Sequence, residues 1–198
     1  MAELRDNADD AKRLRILDGA LKVFTAYGFA RTTMDDIAKA AELSRPSLYL
    51  VFRNKTDIYR EIARCILAQI VKLTNAALSG EGSLLERMDR MIQSAFYDLL
   101  RNIEESPHGP ELMDIRNALA ADLFQDWREQ MLALLEAVIE REVREANVDL
   151  AARELSARSV AETFLDALEG MKPRITDPQL HLSAARSSAR VLVAALRP

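Results

Sequence analysis

Residues 31–55 read RTTMDDIAKAAELSRPSLYLVFRNK, and the order of polar and apolar residues in this stretch predicts two short helices. Thr33 and Asp36 form the capping box that begins one helix. Ser44 has the side chain of an N-cap residue, and Pro46 lies in the first turn of the next helix, where its missing N–H does no harm. Two short helices joined by a turn of three or four residues form a helix-turn-helix, here over residues 33–52.

Apolar residues recur at spacings of three and four on both sides of this stretch, which is the period of an amphipathic helix. Gly28 is placed to end the first helix. Runs that alternate between apolar and polar residues, as strands do, are missing from the sequence. We therefore predict an all-α protein of about nine helices, with expected ranges 10–27, 34–41, 45–51, 56–78, 84–103, 111–121, 123–146, 150–171 and 178–196.

Charge is distributed unevenly along the 198 residues, whose net charge is −4. Residues 12–60 contain ten Lys or Arg and five Asp or Glu, a net charge of +5, so the remainder carries −9. A basic end on an acidic body is expected of a protein that meets phosphate at one end only. The single cysteine, Cys65, and the lack of an apolar leader or a run of about 20 apolar residues predict a cytoplasmic protein without a membrane span. We expect the Cys65 thiol to be buried and inert.

The helix-turn-helix and its flanks resemble the DNA-binding domain of TetR-family transcriptional regulators over about residues 12–60. The residues that carry the resemblance are Gly28, Thr33, Ile37, Ala38, Ser44, Tyr49, Phe52 and Lys55. The resemblance implies an N-terminal three-helix DNA-binding domain, placed at residues 10–56, and a helical ligand-binding and dimerisation domain at 57–198. It further implies a homodimer that binds a near-palindromic DNA operator.

A recognition helix keeps one face apolar to pack on its partner and offers the other face to the major groove. Leu48, Val51 and Phe52 are expected to face inward. Arg45 is the best candidate to read a guanine edge, and Leu50 is suited to a thymine methyl. Thr33, Ser44, Tyr49 and Lys55 are suited to phosphate oxygens, and the resemblance implies this role above all for Tyr49 and Lys55. The full set of predicted DNA-contact residues is Thr33, Ser44, Arg45, Ser47, Tyr49, Leu50 and Lys55. For Thr33 and Ser44 a role as helix caps alone explains the sequence equally well.

Three positions depart from the family pattern. Glu42 stands in the turn where the family often has glycine, and Pro46 stands within the recognition helix where it also often has glycine. Leu50 replaces a residue that is commonly polar in the family. These differences change the expected base preference rather than the expectation of DNA binding.

The C-terminal region carries no comparable motif, and its site residues are predicted from apolar patterning and the resemblance. An adaptable apolar ligand pocket is expected to be lined by Met88, Met91, Phe96, Met113, Phe124, Trp127, Met131 and Phe164. The dimer interface is expected at Val160, Phe164, Leu168, Leu182, Ala185, Ala189, Leu192 and Leu196. Both sets fit an ordinary intrachain core as well.

The preferred function is a repressor, or less often an activator, that a small apolar effector releases from its operator. An enzyme is disfavoured because the sequence has no nucleophile–base set and no phosphate-binding glycine loop. Neither a metal site nor a cofactor is expected, since His108, His181 and Cys65 are far apart in the sequence. The third possibility is a helical DNA-binding protein that is controlled by a protein partner or has no effector.

Overall fold

A computed structural model describes residues 2–114, 116–171, 174–175 and 177–197, with side chains for all of these except 2–8, 113, 114, 116 and 117. The described residues form helices and loops without a strand, which confirms the predicted all-α class. The α-helices are α1 (Ala2–Tyr27), α2 (Met34–Ala40), α3 (Arg45–Tyr49), α4 (Lys55–Ser79), α5 (Leu84–Met91), α6 (Leu99–Glu104), α7 (Gly109–Asp114), α8 (Arg116–Leu119), α9 (Ala121–Glu145), α10 (Ala157–Met171) and α11 (Pro178–Ala195).

Two predicted helices are interrupted. The predicted helix 84–103 is α5 and α6 joined by a π-helical segment, Ile92–Asp98, in which the backbone is wound more widely. The predicted helix 111–121 is the pair α7 and α8. These interruptions raise the number of helical segments above the predicted nine without changing the fold class.

The predicted start of a helix at Leu150 is wrong, because α10 begins at Ala157. A single 3₁₀ turn, Ala151–Arg153, is followed by Glu154 in the left-handed conformation at φ 57°, which ends helical winding. Ser156 then begins α10, since its hydroxyl oxygen accepts a hydrogen bond from the backbone N–H of Ser159 at 3.0 Å.

The first compact unit comprises Met1–Leu67 and Asn102–Phe124. Its core is an apolar cluster in which Ile16, Ile37, Leu48 and Ile58 are fully buried. At Gly19, α1 approaches the end of α2 so closely that a Cβ would lie 2.8 Å from the backbone nitrogen of Ala41. These contacts hold α2 and α3 against α1.

The second compact unit comprises Ala68–Arg101 and Gln125–Pro198. Within it, α11 packs against α10, α5 and the π-helical segment. Arg186 of α11 is 2.5 Å from Asp89 and donates to the Gln93 side chain at 3.0 Å. The two compact units do not divide the chain at the predicted position after residue 56, since Asn102–Phe124 belongs with the N-terminal residues. The functional division into 10–56 and 57–198 stays a prediction.

Helix α4 is long and apolar enough to meet the length and hydropathy limits of a membrane span. Core helices of water-soluble proteins also meet these limits, so they are weak grounds for assigning a span. Ile58, Ile62, Leu67 and Ile70 of α4 are buried in the protein itself.

Candidate DNA-binding surface

The helix-turn-helix is set by local hydrogen bonds at both helix starts. The backbone N–H of Thr33 donates to Asp36 Oδ2 at 2.9 Å, and the backbone N–H of Asp36 donates to Thr33 Oγ1 at 3.3 Å. The Thr33 hydroxyl also donates to Asp36 Oδ2 at 2.6 Å, and this bond, followed by the one from the Thr33 N–H, lowers the pKa of the Asp36 carboxyl. Ser44 Oγ accepts from the N–H of Ser47 at 3.3 Å and begins α3. The predicted starts of both helices are therefore confirmed.

The turn between α2 and α3 is a Schellman motif, which ends a helix with a residue in the left-handed conformation. Glu42 occupies that position at φ 55°. The N–H of Glu42 donates to Lys39 O at 3.1 Å, and the N–H of Leu43 donates to Ala38 O at 2.9 Å. The position at which the resemblance suggested glycine is thus one where glycine has a physical advantage.

Helix α3 has a buried face and an exposed face. Leu48 is fully buried and Phe52 nearly so, while Val51 is half-buried. On the opposite side Tyr49 is 43% exposed and Leu50 is 83% exposed. The helix is shorter than predicted, ending at Tyr49 instead of residue 51.

Arg45 stands at the start of α3 between Asp35 and Tyr49. Its Nη1 donates to Asp35 Oδ2 at 3.3 Å, and its Nε lies 3.3 Å from Oδ1. The guanidinium carbon is 5.6 Å from the centre of the Tyr49 ring, within cation–π range. The neighbouring Tyr49 side chain, and then the charge of Asp35, raise the pKa of Arg45. The Asp35 contact was not predicted, because the pair is ten residues apart and follows no helical spacing.

Lys55 does not present its ammonium group to solvent in the way that a phosphate contact requires. Its Nζ donates to three backbone carbonyl oxygens, those of Phe29 at 2.7 Å, Ala30 at 3.0 Å and Thr32 at 2.9 Å. An ammonium group has three N–H donors, and all three are used. The predicted role of the Lys55 side chain as a phosphate contact is therefore corrected to a structural one.

A second set of contacts on this unit also escaped sequence reasoning. Glu111 Oε1 accepts from the N–H of Ala30 at 3.2 Å, and Glu111 Oε2 lies 3.1 Å from His108 Nδ1. The bond from Ala30, followed by His108, lowers the pKa of the Glu111 carboxyl. Gly28 at φ 83° leaves room for this carboxylate, which a Cβ would meet. No local pattern in the sequence connects residues more than eighty positions apart.

The predicted pocket residues do not all lie in one unit. Met88, Met91, Trp127, Met131 and Phe164 are buried in the second unit, which also contains the half-buried Phe96. Phe124 belongs to the first unit and packs against its apolar cluster. Met113 lies outside the residues whose side chains are described. The lining of an effector pocket by these residues stays a prediction.

The predicted dimer interface is wrong in its choice of helix face. All eight side chains are buried within the single chain, none more than 8% exposed: Val160, Phe164, Leu168, Leu182, Ala185, Ala189, Leu192 and Leu196. Side chains already packed in the chain's own core cannot supply the contact area of an interface. The large apolar residues that α11 does expose are Leu180 at 64% and Val191 at 71%.

Cys65 is exposed on α4, which corrects the expectation of a buried thiol. Among the residues that the structure describes, no group of three or more His, Cys, Asp or Glu side chains is arranged to hold a metal ion.

Comparison with known proteins is consistent with this geometry. Residues 16–62 match the family described as bacterial regulatory proteins, tetR family. The chain is 32% identical over 83 residues to the HTH-type transcriptional regulator YhgD of Bacillus subtilis, a match that covers 42% of this chain and 43% of that protein. It is 31% identical over 91 residues to IcaR, the HTH-type negative transcriptional regulator of the biofilm operon icaADBC in Staphylococcus aureus, covering 46% and 47%. The matches span less than half the length of these curated relatives.

Solved structures with the same fold cover nearly the whole chain. The TetR-family regulator PfmR of Thermus thermophilus is 23% identical with a TM-score of 0.66, over 91% of this chain and 97% of that one. SmeT, the repressor of the multidrug efflux pump SmeDEF of Stenotrophomonas maltophilia, is 19% identical with a TM-score of 0.64, over 92% and 89%.

The helix-turn-helix lies within the matched region, and it is a DNA-binding motif of transcriptional regulators. Residues 16–62 carry the N-terminal domain of the tetR family of bacterial regulatory proteins. The relatives of this chain are transcriptional regulators and not enzymes.

Proposed function

We propose that this protein is a cytoplasmic transcriptional repressor that binds a near-palindromic DNA operator as a homodimer and is released by a small apolar effector. The observation that carries the DNA-binding part is the exposed face of α3. Arg45, Tyr49 and Leu50 stand outward on a helix that Leu48 fixes to the core. That is the arrangement a recognition helix needs to bring side chains to base edges in the major groove.

Each exposed side chain suits a different contact. The Arg45 guanidinium is suited to the O6 and N7 atoms of guanine, and Leu50 to the methyl group of thymine. Tyr49 is suited to a phosphate oxygen, which fixes the domain on the duplex without reading sequence. Thr33 and Ser44 serve α2 and α3 as N-caps, and the backbone N–H of Ser47 donates to the Ser44 hydroxyl oxygen; we propose that the three side chains also lie on the DNA-contact surface.

We propose repression rather than activation because two similar proteins are negative regulators of transcription. IcaR is a negative regulator, and SmeT is a repressor. Release by an effector rests on the family resemblance and on the buried methionines Met88, Met91 and Met131, whose flexible side chains suit an adaptable apolar site.

For the homodimer we propose the exposed face of α11 in place of the buried one. Its members are Leu180, Ser183, Ser187, Val191 and Ala194, which share one side of the helix. Two large exposed apolar residues among small ones allow a second copy of the helix to approach closely. Because two-fold interfaces are self-complementary, the same face serves both protomers.

The dimer is tested by sedimentation velocity on the full chain. Val191→Glu places a charge on the proposed interface and is expected to give monomers where the unmodified protein gives dimers. Ala137→Glu, at an exposed site on α9, is the matched control and should remain dimeric. A Val191→Glu protein that dimerises as strongly as the control would rule out this face.

DNA binding is tested by selection of random double-stranded DNA on the purified protein. We expect a two-fold symmetric consensus whose half-sites are separated by about one helical turn. A selection that enriches no sequence would overturn sequence-specific binding. Native mass spectrometry of the same protein tests for a co-purified small molecule, and the molecule found should lower the affinity for the selected DNA. An operator complex that no extract-derived small molecule weakens would favour control by a protein partner or no effector.

A further inference from the structure

We infer that Asp35 is a specificity-determining residue that positions the guanidinium of Arg45 for base reading, although Asp35 itself does not contact the base. The inference rests on the proposed function, since it assigns Arg45 to the DNA. What the structure adds is a carboxylate from α2 that contacts the first residue of α3 across the turn. Because α2 and α3 pack on the same apolar core, the fold sets the position of the Asp35 carboxylate relative to Arg45.

The geometry restrains Arg45 on two sides. Asp35 contacts Nη1 and Nε at 3.3 Å each, with a different carboxylate oxygen at each nitrogen. The Tyr49 ring lies against the guanidinium at 5.6 Å. Among the described residues, Nη2 has no carboxylate partner of this kind. The arginine is therefore oriented by the protein through Nη1 and Nε, and Nη2 lies outside these contacts with Asp35.

Stability does not explain this ion pair. The side chains of Arg45 and Asp35 are 60% and 49% exposed, and ion pairs between such exposed groups stabilise a fold only slightly. A carboxylate close to the DNA-facing side also repels phosphate, which lowers affinity for every sequence alike. The ion pair thus weakens binding to DNA of any sequence and adds little stability. We therefore explain it by its effect on the orientation of Arg45.

Orientation of Arg45 improves discrimination between bases. A free arginine side chain loses several rotatable degrees of freedom when it contacts a base, and one already held in place loses fewer. The restraint also limits contact with wrong partners, because a guanidinium tied to Asp35 moves less readily to a nearby phosphate. Specificity is a difference of affinities, and both effects increase that difference.

The test measures binding of full-length variants to the DNA selected by the unmodified protein. Each variant is also measured on the same DNA with the guanine assigned to Arg45 replaced, and on unrelated DNA. Arg45→Ala should lose about 10- to 100-fold of the discrimination between the first two DNAs. Asp35→Asn should lose a several-fold part of it, with affinity for unrelated DNA unchanged or increased.

Three further measurements separate positioning from a general structural role. The double variant with Asp35→Asn and Arg45→Ala should discriminate no worse than Arg45→Ala alone. Asp35→Glu, which restores the carboxylate, should recover discrimination. Asp18→Asn on α1 removes a similarly exposed carboxylate that is paired with Lys22, and it should have no effect.

Two different failures can be told apart. If Arg45→Ala loses discrimination and Asp35→Asn keeps it in full, the positioning role of Asp35 is overturned and the proposed function stands. If Arg45→Ala discriminates at every guanine of the selected DNA as well as the unmodified protein does, the assignment of Arg45 to base reading fails. The role of Asp35 then fails with it.

Discussion

The ammonium nitrogen of Lys55 lies 2.7 Å from the carbonyl oxygen of Phe29 and 4.6 Å from the centre of the Phe29 ring. Two more carbonyl oxygens, those of Ala30 and Thr32, complete its hydrogen bonds. Lys55 is the first residue of α4, and its three acceptors lie in the connector between α1 and α2. One side chain thus fixes the connector that precedes the helix-turn-helix to the helix that follows it.

Replacing Lys55 with methionine should destabilise the protein. The change keeps the length of the side chain but leaves three carbonyl oxygens without their charged donor, which we expect to lower the free energy of unfolding by about 1–3 kcal/mol. Urea denaturation measures the loss. Lys39→Met, at an exposed lysine of α2, is the control and should be near neutral.

The same variant distinguishes a structural lysine from a phosphate contact. Removing a lysine that binds phosphate lowers the slope of log affinity against log salt concentration by about 1. Because the donors of Lys55 are already used, Lys55→Met should leave that slope unchanged at temperatures where the variant is folded. A stable variant with a reduced salt slope would show that Lys55 does contact the DNA backbone.

Glu42→Gly should stabilise the protein. Glu42 is held at φ 55°, a conformation that costs a residue with a Cβ about 1–2 kcal/mol. Glycine avoids this cost but loses more backbone entropy on folding, so the expected net gain is about 1 kcal/mol. Thermal and urea denaturation measure it, and Glu42→Ala, which retains the strain, is the control. A Glu42→Gly protein less stable than the alanine variant would contradict this explanation of the turn.

The sequence predicted contacts between residues that are close together in the chain. Thr33 with Asp36, and Ser44 with Ser47, are three residues apart, so their capping bonds follow from spacing alone. The contacts of Lys55 and of Asp35 with Arg45 depend on where separate elements meet, and no residue pattern encodes them. The Glu42 turn lies between these cases, because the family resemblance pointed to glycine there and the structure supplied the physical reason.

The dimer face illustrates a different limit. Helix α11 has apolar residues on two sides, with Leu182 and Leu192 on one and Leu180 and Val191 on the other. Periodicity finds both sides, but it cannot tell which one the chain buries against itself. The face with more leucine and alanine proved to be the intrachain core, and the one with serines between the apolar residues is left exposed.

Asp122 should make stability depend on pH in the acid range. Arg60 donates to both of its carboxylate oxygens, at 2.8 and 2.5 Å, and chiefly this hydrogen bonding lowers the pKa of Asp122 from 3.8 to about 2. A lowered folded-state pKa means that the contribution to stability is complete above the unfolded value near 3.8 and is lost as pH falls toward 2. Carboxyl NMR titration should therefore find Asp122 still charged at pH 3.

A substitution checks the sign of this effect. Asp122→Asn should be less stable than the unmodified protein at pH 7, and the difference between the two should narrow as pH falls from 4 to 2. Asp126→Asn, at an exposed site nearby on α9, is the control and should show a smaller pH-dependent difference. A difference for Asp122→Asn that stays constant down to pH 2 would mean that the carboxylate has no special partner.

Arg87 is the one charged side chain buried in the core among the described residues, only 5% exposed. Its Nη2 donates to Glu142 Oε2 at 3.0 Å, and its Nη1 donates to Leu78 O at 3.2 Å near the end of α4, where a cation also favours the helix dipole. Glu142 is more accessible, with 29% of its side chain exposed. The two partners of this ion pair are therefore unequal, and removing them should have unequal effects.

Glu142→Gln leaves a buried cation without its anion and should lower the free energy of unfolding by about 1–3 kcal/mol, less than for a fully buried pair because solvent reaches the site. Arg87→Met leaves only a partly exposed carboxylate, which water can solvate, and it fills the space with an apolar side chain. The double variant should be no less stable than Arg87→Met alone, so the two substitutions are not additive. Urea denaturation of the three variants gives the coupling, with Glu140→Gln on α9 as the exposed control. If Glu142→Gln behaves like that control, Arg87 is held by the α4 carbonyl and not by its ion pair.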